Sequence, residues 1–326
     1  KSQNERVYEL EQYKLKSIKS YPFIYWISDE FRKKFSKVAL DKEAKVVSGV
    51  KTGNNFGALR LWWEVNKKDI YTRDNCNYKW IRYAKGGPSK RWYGNNWLCI
   101  DCRNDFEFIK GQNSWSIPPK KYFLTRGISY SGSGSKGISF RYIGDDILYD
   151  MGASGVFPNE NVYYSLSALN SKLISYIMNC LNPTVNKQPN DVKRIPLEKG
   201  SNEDVSFLVP LAKKCIELQK VIDNYSIIES NFERSPIIAF LKVDLKKAFL
   251  DYLNWENDKY IQILFYEAII DEKILEIYEL TETDKAMVLA EEGESIGALP
   301  VSALAKAAYL ANEVAEFPLD DIKDFI

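Results

Sequence analysis

The 326 residues carry 45 Lys/Arg against 44 Asp/Glu, 45% hydrophobic side chains and no histidine. Such a length allows a sizeable core and about two domains, and the missing imidazole excludes Ser-His-Asp and Cys-His catalysis and any His-ligated metal. The near-zero net charge hides a division: residues 1–200 hold 33 basic against 19 acidic groups and residues 201–326 hold 12 against 25, so only the first part suits a polyanion.

Asn4 to Pro22 has a rough helical period that stops at the proline. Ser28-Asp29-Glu30 reads as an N-cap opening a short helix to about Lys37. From about Lys45 to Asn161 short runs rich in Val, Ile, Trp, Tyr and Phe alternate with Gly, Asn, Ser and Pro clusters: AKVVSGV, ALRLWWEV, YKWIRYA, NNWLCID, KYFLTRGISY, GISFRYI and DDILYD. This predicts a β-rich module with long loops. Ser165 to Pro183 predicts one helix with Leu166, Leu169, Leu173, Ile177 and Leu181 as its apolar stripe. Beyond Pro196 the chain becomes helical and acidic, with one helix carrying Pro210 near its start, two further helical runs, and an Ala-rich stretch from Val301 to Val314. The expected fold class is α+β, in three parts: a helical connector over 1–44, the β-rich module over 45–200, and an acidic helical domain over 201–326. No apolar run reaches the ~18 residues that span a bilayer. The chain begins with Lys1 and shows no signal-peptide pattern, and it reads as an excised piece of a longer intracellular, cytoplasmic protein.

Several motifs admit chemistry and are better read as structure. Gly132 to Gly137 fits GxGxxG, but a strand-like run follows it where a dinucleotide site needs a helix; a loop is expected. Cys99-Ile-Asp-Cys102 lacks the second thiolate pair that zinc wants. Asp145, Asp146 and Asp150 sit at a turn between strand-like runs and read as solvated. The five cysteines are scattered, against a secreted disulfide framework. More telling are residues 75–100, with five basic residues and no acid, and 108–144, with Lys110, Lys120, Lys121, Arg126, Lys136 and Arg141 and no acid. Lysine and arginine neutralise phosphates, glycines let backbone approach, and Trp and Tyr stack on or wedge between bases. Nucleic-acid contact is the expectation; aromatics in a core beside a solvated basic face is the alternative.

Four segments occur in order: VSGVKTGNNFGALRLWWEV (47–65), KWIRYAKGGPSKRWYGNN (79–96), ISFRYIGDDILYDMGASGVFP (138–158) and LSALNSKLISYIMNCLNPTVNKQPNDVKRIPL (166–197). Together they resemble the C-terminal, target-recognition half of adenine-specific DNA methyltransferases of the bacteriophage-exclusion (BREX) PglX type, related to specificity domains of TaqI-like and fused restriction-modification enzymes. The resemblance covers residues 1–200 well and thins beyond, where KILEIYEL (273–280) is similar. It implies a full enzyme that moves a methyl group from S-adenosylmethionine to adenine N6, with cofactor and an Asn-Pro-Pro-aromatic motif in an N-terminal half. This chain has no such motif, only Asn182-Pro183-Thr184, so it is expected to be non-catalytic and to hold no cofactor itself.

On that reading the partners are double-stranded DNA, the missing methyltransferase half and other phage-defence proteins. Lys79, Lys85, Lys90 and Lys121 are expected to clamp phosphates, and Arg82, Arg91, Arg126 and Arg141 to read guanine through paired hydrogen bonds. Asn54 and Asn55 would read adenine or touch phosphate, with Lys51, Trp92, Tyr93 and Lys136 completing the surface. The 165–181 helix is expected to pack behind the β module, and the acidic tail to pack on that module, the catalytic half or another defence protein. A protein–protein scaffold and a nuclease or restriction subunit are the competing readings.

Overall fold

A computed structural model of the protein describes residues 9–16, 18, 22–75, 78–133 and 137–293. The N-terminal helices are α1 (Gln12–Leu15), α2 (Asp29–Lys34) and α3 (Leu40–Glu43). Ser28 caps α2 as its sequence implies, its Oγ accepting from the Phe31 amide at 2.9 Å. Then come β1 (Ala44–Val47), α4 (Asn55–Ala58), β2 (Leu59–Leu61), β3 (Trp80–Ala84), β4 (Leu98–Asp101) and α5 (Arg103–Lys110). Strands β5 (Gly127–Ser131), β6 (Ser139–Ile143), β7 (Ile147–Tyr149) and β8 (Gly155–Pro158) complete the β content. The helical remainder is α6 (Val162–Asn170), α7 (Lys172–Leu181), α8 (Pro189–Val192), α9 (Asn202–Asp223), α10 (Pro236–Phe240), α11 (Leu245–Ile277) and α12 (Glu282–Glu292).

The strands form two four-stranded sheets, ordered β1-β8-β5-β6 and β2-β4-β3-β7. The first is antiparallel throughout. In the second, β7 runs parallel to β3, pairing Arg82 with Ile147 and Ala84 with Tyr149. The chain thus passes back and forth between the sheets, and the crossing near β7 is tight: a Cβ on Gly49 would lie 2.2 Å from the Tyr149 carbonyl oxygen, a close approach only glycine allows. This is the α+β fold expected from composition and pattern.

Each sheet has its own core. The second sheet buries Val50, Ile81, Tyr83, Ile100, Phe106, Ile109 and Leu148. The first contributes Tyr130, Phe140 and Val156 to a larger core completed by Phe31, Leu169, Ile174, Cys215, Phe265 and Val288. That core crosses residue 200, because α9 and α11 supply the apolar face that covers α6 and α7. No described helix is long and apolar enough to cross a membrane.

Two helix expectations change. The 165–181 stripe is buried, but it belongs to two helices broken at Ser171, whose backbone is extended (φ −68°, ψ 154°) and whose side chain caps α7. Serine competes with helical backbone and favours such a cap; Asp271 of α11 adds a carboxylate oxygen 2.8 Å from the Lys172 amide. Downstream, the expected run over 235–255 splits into α10 and the start of α11, and its second part fuses with the run over 258–280 into the single 33-residue α11. The Val301–Val314 stretch lies outside the described residues.

Candidate nucleic-acid interface

A cleft of about 390 Å³ opens between the end of β1 and the turn after β7, lined by Lys51, Thr52, Gly53, Asn55, Lys85, Asp150, Met151 and Gly152. Its floor is pinned from both sides. The Val50 amide donates to Tyr149 O at 2.8 Å and Met151 N to Val50 O at 3.1 Å, while Lys51 and Ser116 exchange a pair of backbone bonds at 2.8 and 3.0 Å. Gly53 is left-handed (φ +70°), with the Ser114 carbonyl where a Cβ would stand. Thr52 Oγ1 donates to Asn55 Oδ1 at 2.6 Å, and Asn54 Oδ1 accepts from Gly57 N at 3.0 Å. The Thr-Gly-Asn-Asn segment is therefore a built turn.

Electrostatically the cleft has two ammonium groups for one carboxylate. Lys85 Nζ lies 3.6 Å from Asp150 Oδ1, and Asp150 also accepts from the Tyr83 hydroxyl at 2.8 Å. Burial, reinforced by Asp150, pushes the Tyr83 phenol well above its usual range, so it stays a neutral donor. Asp150 is thereby occupied and the site keeps a surplus positive charge. Four of the expected residues, Lys51, Asn54, Asn55 and Lys85, come together at this turn and cleft.

A second set lies on the exposed side of the strands. Arg73 and Arg126 share Asp145, and Arg82 pairs with Asp146 at 3.0 Å. Burial alone would raise the Asp145 carboxyl, but Arg73 and then Arg126 hold it below its ordinary value. The Arg73 and Arg126 side chains remain about 60% exposed. Ion pairs this open contribute little to stability and exchange readily for a phosphate. Lys79 pairs with Asp69 at 3.3 Å, and Lys121 Nζ lies 5.1 Å from the Tyr122 ring. Arg73 is absent from the sequence-derived set: it precedes the acid-free run, and its local neighbour Asp74 masked it.

Two expected contacts, Trp92 and Arg141, are interior, which corrects the sequence reading, and three more, Lys90, Arg91 and Tyr93, are half-buried and engaged by the helical part. Lys90 Nζ is bound by Asp223 at 2.6 Å and Glu229 at 2.9 Å. Arg91 and the Trp92 indole both reach Glu267, at 3.4 and 2.6 Å. Trp92 and Arg141 are each 1% exposed. Arg141 donates to Ser131 Oγ at 2.9 Å, and burial pushes its guanidinium down to about 10. Burial also raises the Tyr93 phenol, and the Lys220 ammonium sits 4.9 Å from that ring. The physical reason is tertiary: α9, α11 and the segment between them bring carboxylates more than a hundred positions away onto a stretch with none of its own. Lys136 lies outside the described residues.

The other motifs resolve as structure. The GxGxxG run connects β5 to β6, which pair as a hairpin from Ser131↔Ser139, so it offers a phosphate no helix N-terminus. Burial raises Cys99 to about 11 and Cys102 to about 12, with Asp101 adding to the latter, which keeps both as inert thiols. Sequence reasoning passed over β8 and α5; the latter begins with Asn104, Asp105 and Phe106 in left-handed conformation, a turn that leaves no helical period to find.

No model of a protein family matches the chain. It is 30% identical to the adenine-specific methyltransferase BrxX of Escherichia coli O9:H4 (strain HS) over 284 residues, 84% of this chain and 23% of that protein. To the adenine-specific methyltransferase PglX of Lacticaseibacillus casei (strain Zhang) it is 24% identical over 303 residues, 85% of this chain and 24% of that protein. The chain spans about a quarter of the length of these curated relatives, and over that quarter it is a homologue of adenine-specific methyltransferases.

Proposed function

We propose that this chain is the DNA-recognition part of an adenine-specific DNA methyltransferase that acts in defence against bacteriophage. Methyl transfer and S-adenosylmethionine belong, on this reading, to the rest of the longer protein. The residues present do not fit that cofactor: the glycine-rich run enters a strand, and the sequence lacks an Asn-Pro-Pro-aromatic segment. The observation that carries the proposal is the cationic cleft, where Lys51 and Lys85 outnumber the single, already engaged Asp150 beside an amide-bearing turn. Flanking guanidiniums paired only at the surface add phosphate contacts. Because an adenine within a duplex is out of reach of a methyl donor, such an enzyme extrudes it, and the recognition part must hold the flanking duplex. Phosphate contacts hold the duplex, and base-edge contacts choose the site.

Duplex binding by the full-length protein is expected to weaken steeply with salt. The double variant Lys51→Ala/Lys85→Ala is expected to make the slope of log K against log salt shallower by about 2, while weakening all sequences alike. Fluorescence anisotropy across a salt series reads both. A wild-type protein with no duplex affinity at low salt would instead favour a protein–protein scaffold.

A further inference from the structure

Phe56 is 93% exposed, the most exposed large apolar side chain among the described residues. Most phenylalanines are buried because water disfavours the ring, so a ring held out this far needs a reason. It is not on a loose loop. The Asn54 side chain caps the turn at Gly57 N. Arg60 Nη1 donates to the carbonyls of Phe56 and Leu59, both at 2.7 Å. Gly57 packs so closely on Phe108 that an added Cβ would lie 2.2 Å from the ring. The turn thus presents Phe56 from a fixed platform, its other residues Thr52 and Asn55 being engaged with each other.

What surrounds the ring points to its occupant. Lys51 and Asn55 of the same turn line the cationic cleft with Lys85. Residues 51–58 contain no acid, and of the two acids on α5, Asp105 is held by Lys110 and Lys120 while Glu107 accepts from the Asn104 side chain. A rigid apolar ring beside amides and a cleft with one more ammonium group than carboxylates matches a polyanion with a stacked apolar interior. An apolar pocket on a protein would take the ring but would have no use for the cations.

Resting on the DNA-recognition reading above, we propose that Phe56 is a wedge that enters a base-pair step of the duplex seated on the Lys51–Lys85 cleft, unstacking and bending it there. Architectural DNA-binding proteins use apolar side chains in this way, and the distortion would ease extrusion of a nearby adenine. Phe56 is a positioning residue on this account, since it meets the duplex and not the methyl donor.

The test uses the full-length protein and duplexes carrying its methylated motif, identified by methylation-site sequencing. Phe56→Ala is expected to lose about tenfold in affinity for that duplex and to abolish the bend read by energy transfer between its ends. Its salt slope should match wild type, because the phosphate contacts remain, and its melting temperature should be unchanged. An abasic gap at the wedged step should restore Phe56→Ala binding, and Phe56→Trp should keep the bend. Alanine substitution that leaves affinity and bend intact overturns the wedge. So does an alanine variant whose only defect is in self-association or subunit assembly, which would make the ring a protein contact. A wild-type protein that does not bind duplex at all overturns the DNA reading, and the wedge falls with it.

Discussion

Replacing Lys90 by methionine is expected to destabilise the fold by about 3–5 kcal/mol at pH 8, the usual cost of breaking a buried charge pair by removing one partner. The Lys90 ammonium lies 2.6 Å from Asp223 and 2.9 Å from Glu229, and both carboxylates are 1% exposed. Glu229 in addition accepts from the Asn95 and Asn96 amides, each at 3.0 Å. Methionine fills much of the volume but leaves the two carboxylates without the ammonium that they share. Burial, opposed by Lys90, already holds Asp223 up to about 6. Removing the lysine raises it further, so the deficit should shrink as the pH falls and Asp223 takes a proton. Adding Asp223→Asn should recover part of the loss at pH 8. Urea denaturation at pH 5 and pH 8 checks all three statements, and a Lys90→Met protein as stable as its parent would show that this pair does not hold the helical part to the first sheet.

The second large effect concerns Asp271, which is 4% exposed and lies on the α11 face against α7. Burial raises its carboxyl to about 7, against the lowering effect of the Lys172 amide. Its folded value lies above the ordinary 3.8, so the folded state binds the extra proton over that interval. Its contribution is complete below about 4 and is lost as the pH rises through 7, at about 1.4 kcal/mol per pH unit. Between pH 5 and pH 8 the loss from this group is on the order of 3 kcal/mol. Asp223 adds a smaller loss of the same sign through about 6. Asp271→Asn keeps an oxygen for the Lys172 amide at 2.8 Å and removes the buried charge. The variant should melt higher than its parent at pH 8 and show a flatter stability profile. A variant that melts lower at pH 8 would mean that the charge itself is needed by the neighbouring Arg91 and Lys172.

The strands were legible because their signal is local. Val, Ile and aromatic runs bounded by glycine and asparagine recur in β1, β3, β5 and β6, and Ser28 announces α2 by a side chain three residues from its partner amide. The Thr-Gly-Asn-Asn turn was visible for the same reason. The break at Ser171 was not, since the apolar stripe continues beyond it and a serine inside such a stripe does not announce whether it will cap a new helix, as it does for α7. Lys90 and Arg91 misled because a window free of acids says nothing about acids that arrive from elsewhere, and Arg141 because β6 is buried along its whole length. Phe56 went unremarked because its composition is that of a core residue; exposure is a property of the turn that carries it.

By itself the sequence determined the class of fold, the order of most strands and helices, the basic-then-acidic division of the chain and the absence of imidazole chemistry, all of which depend on composition or on neighbours within a few residues. Only the tertiary structure decided which cations are drawn against the helical part and which stay at the surface. Coulomb attraction and desolvation act through space, and α9, α11 and the segment joining them place Asp223, Glu229 and Glu267 against the 90–93 stretch while leaving Lys51, Lys85, Arg73 and Arg126 at the surface.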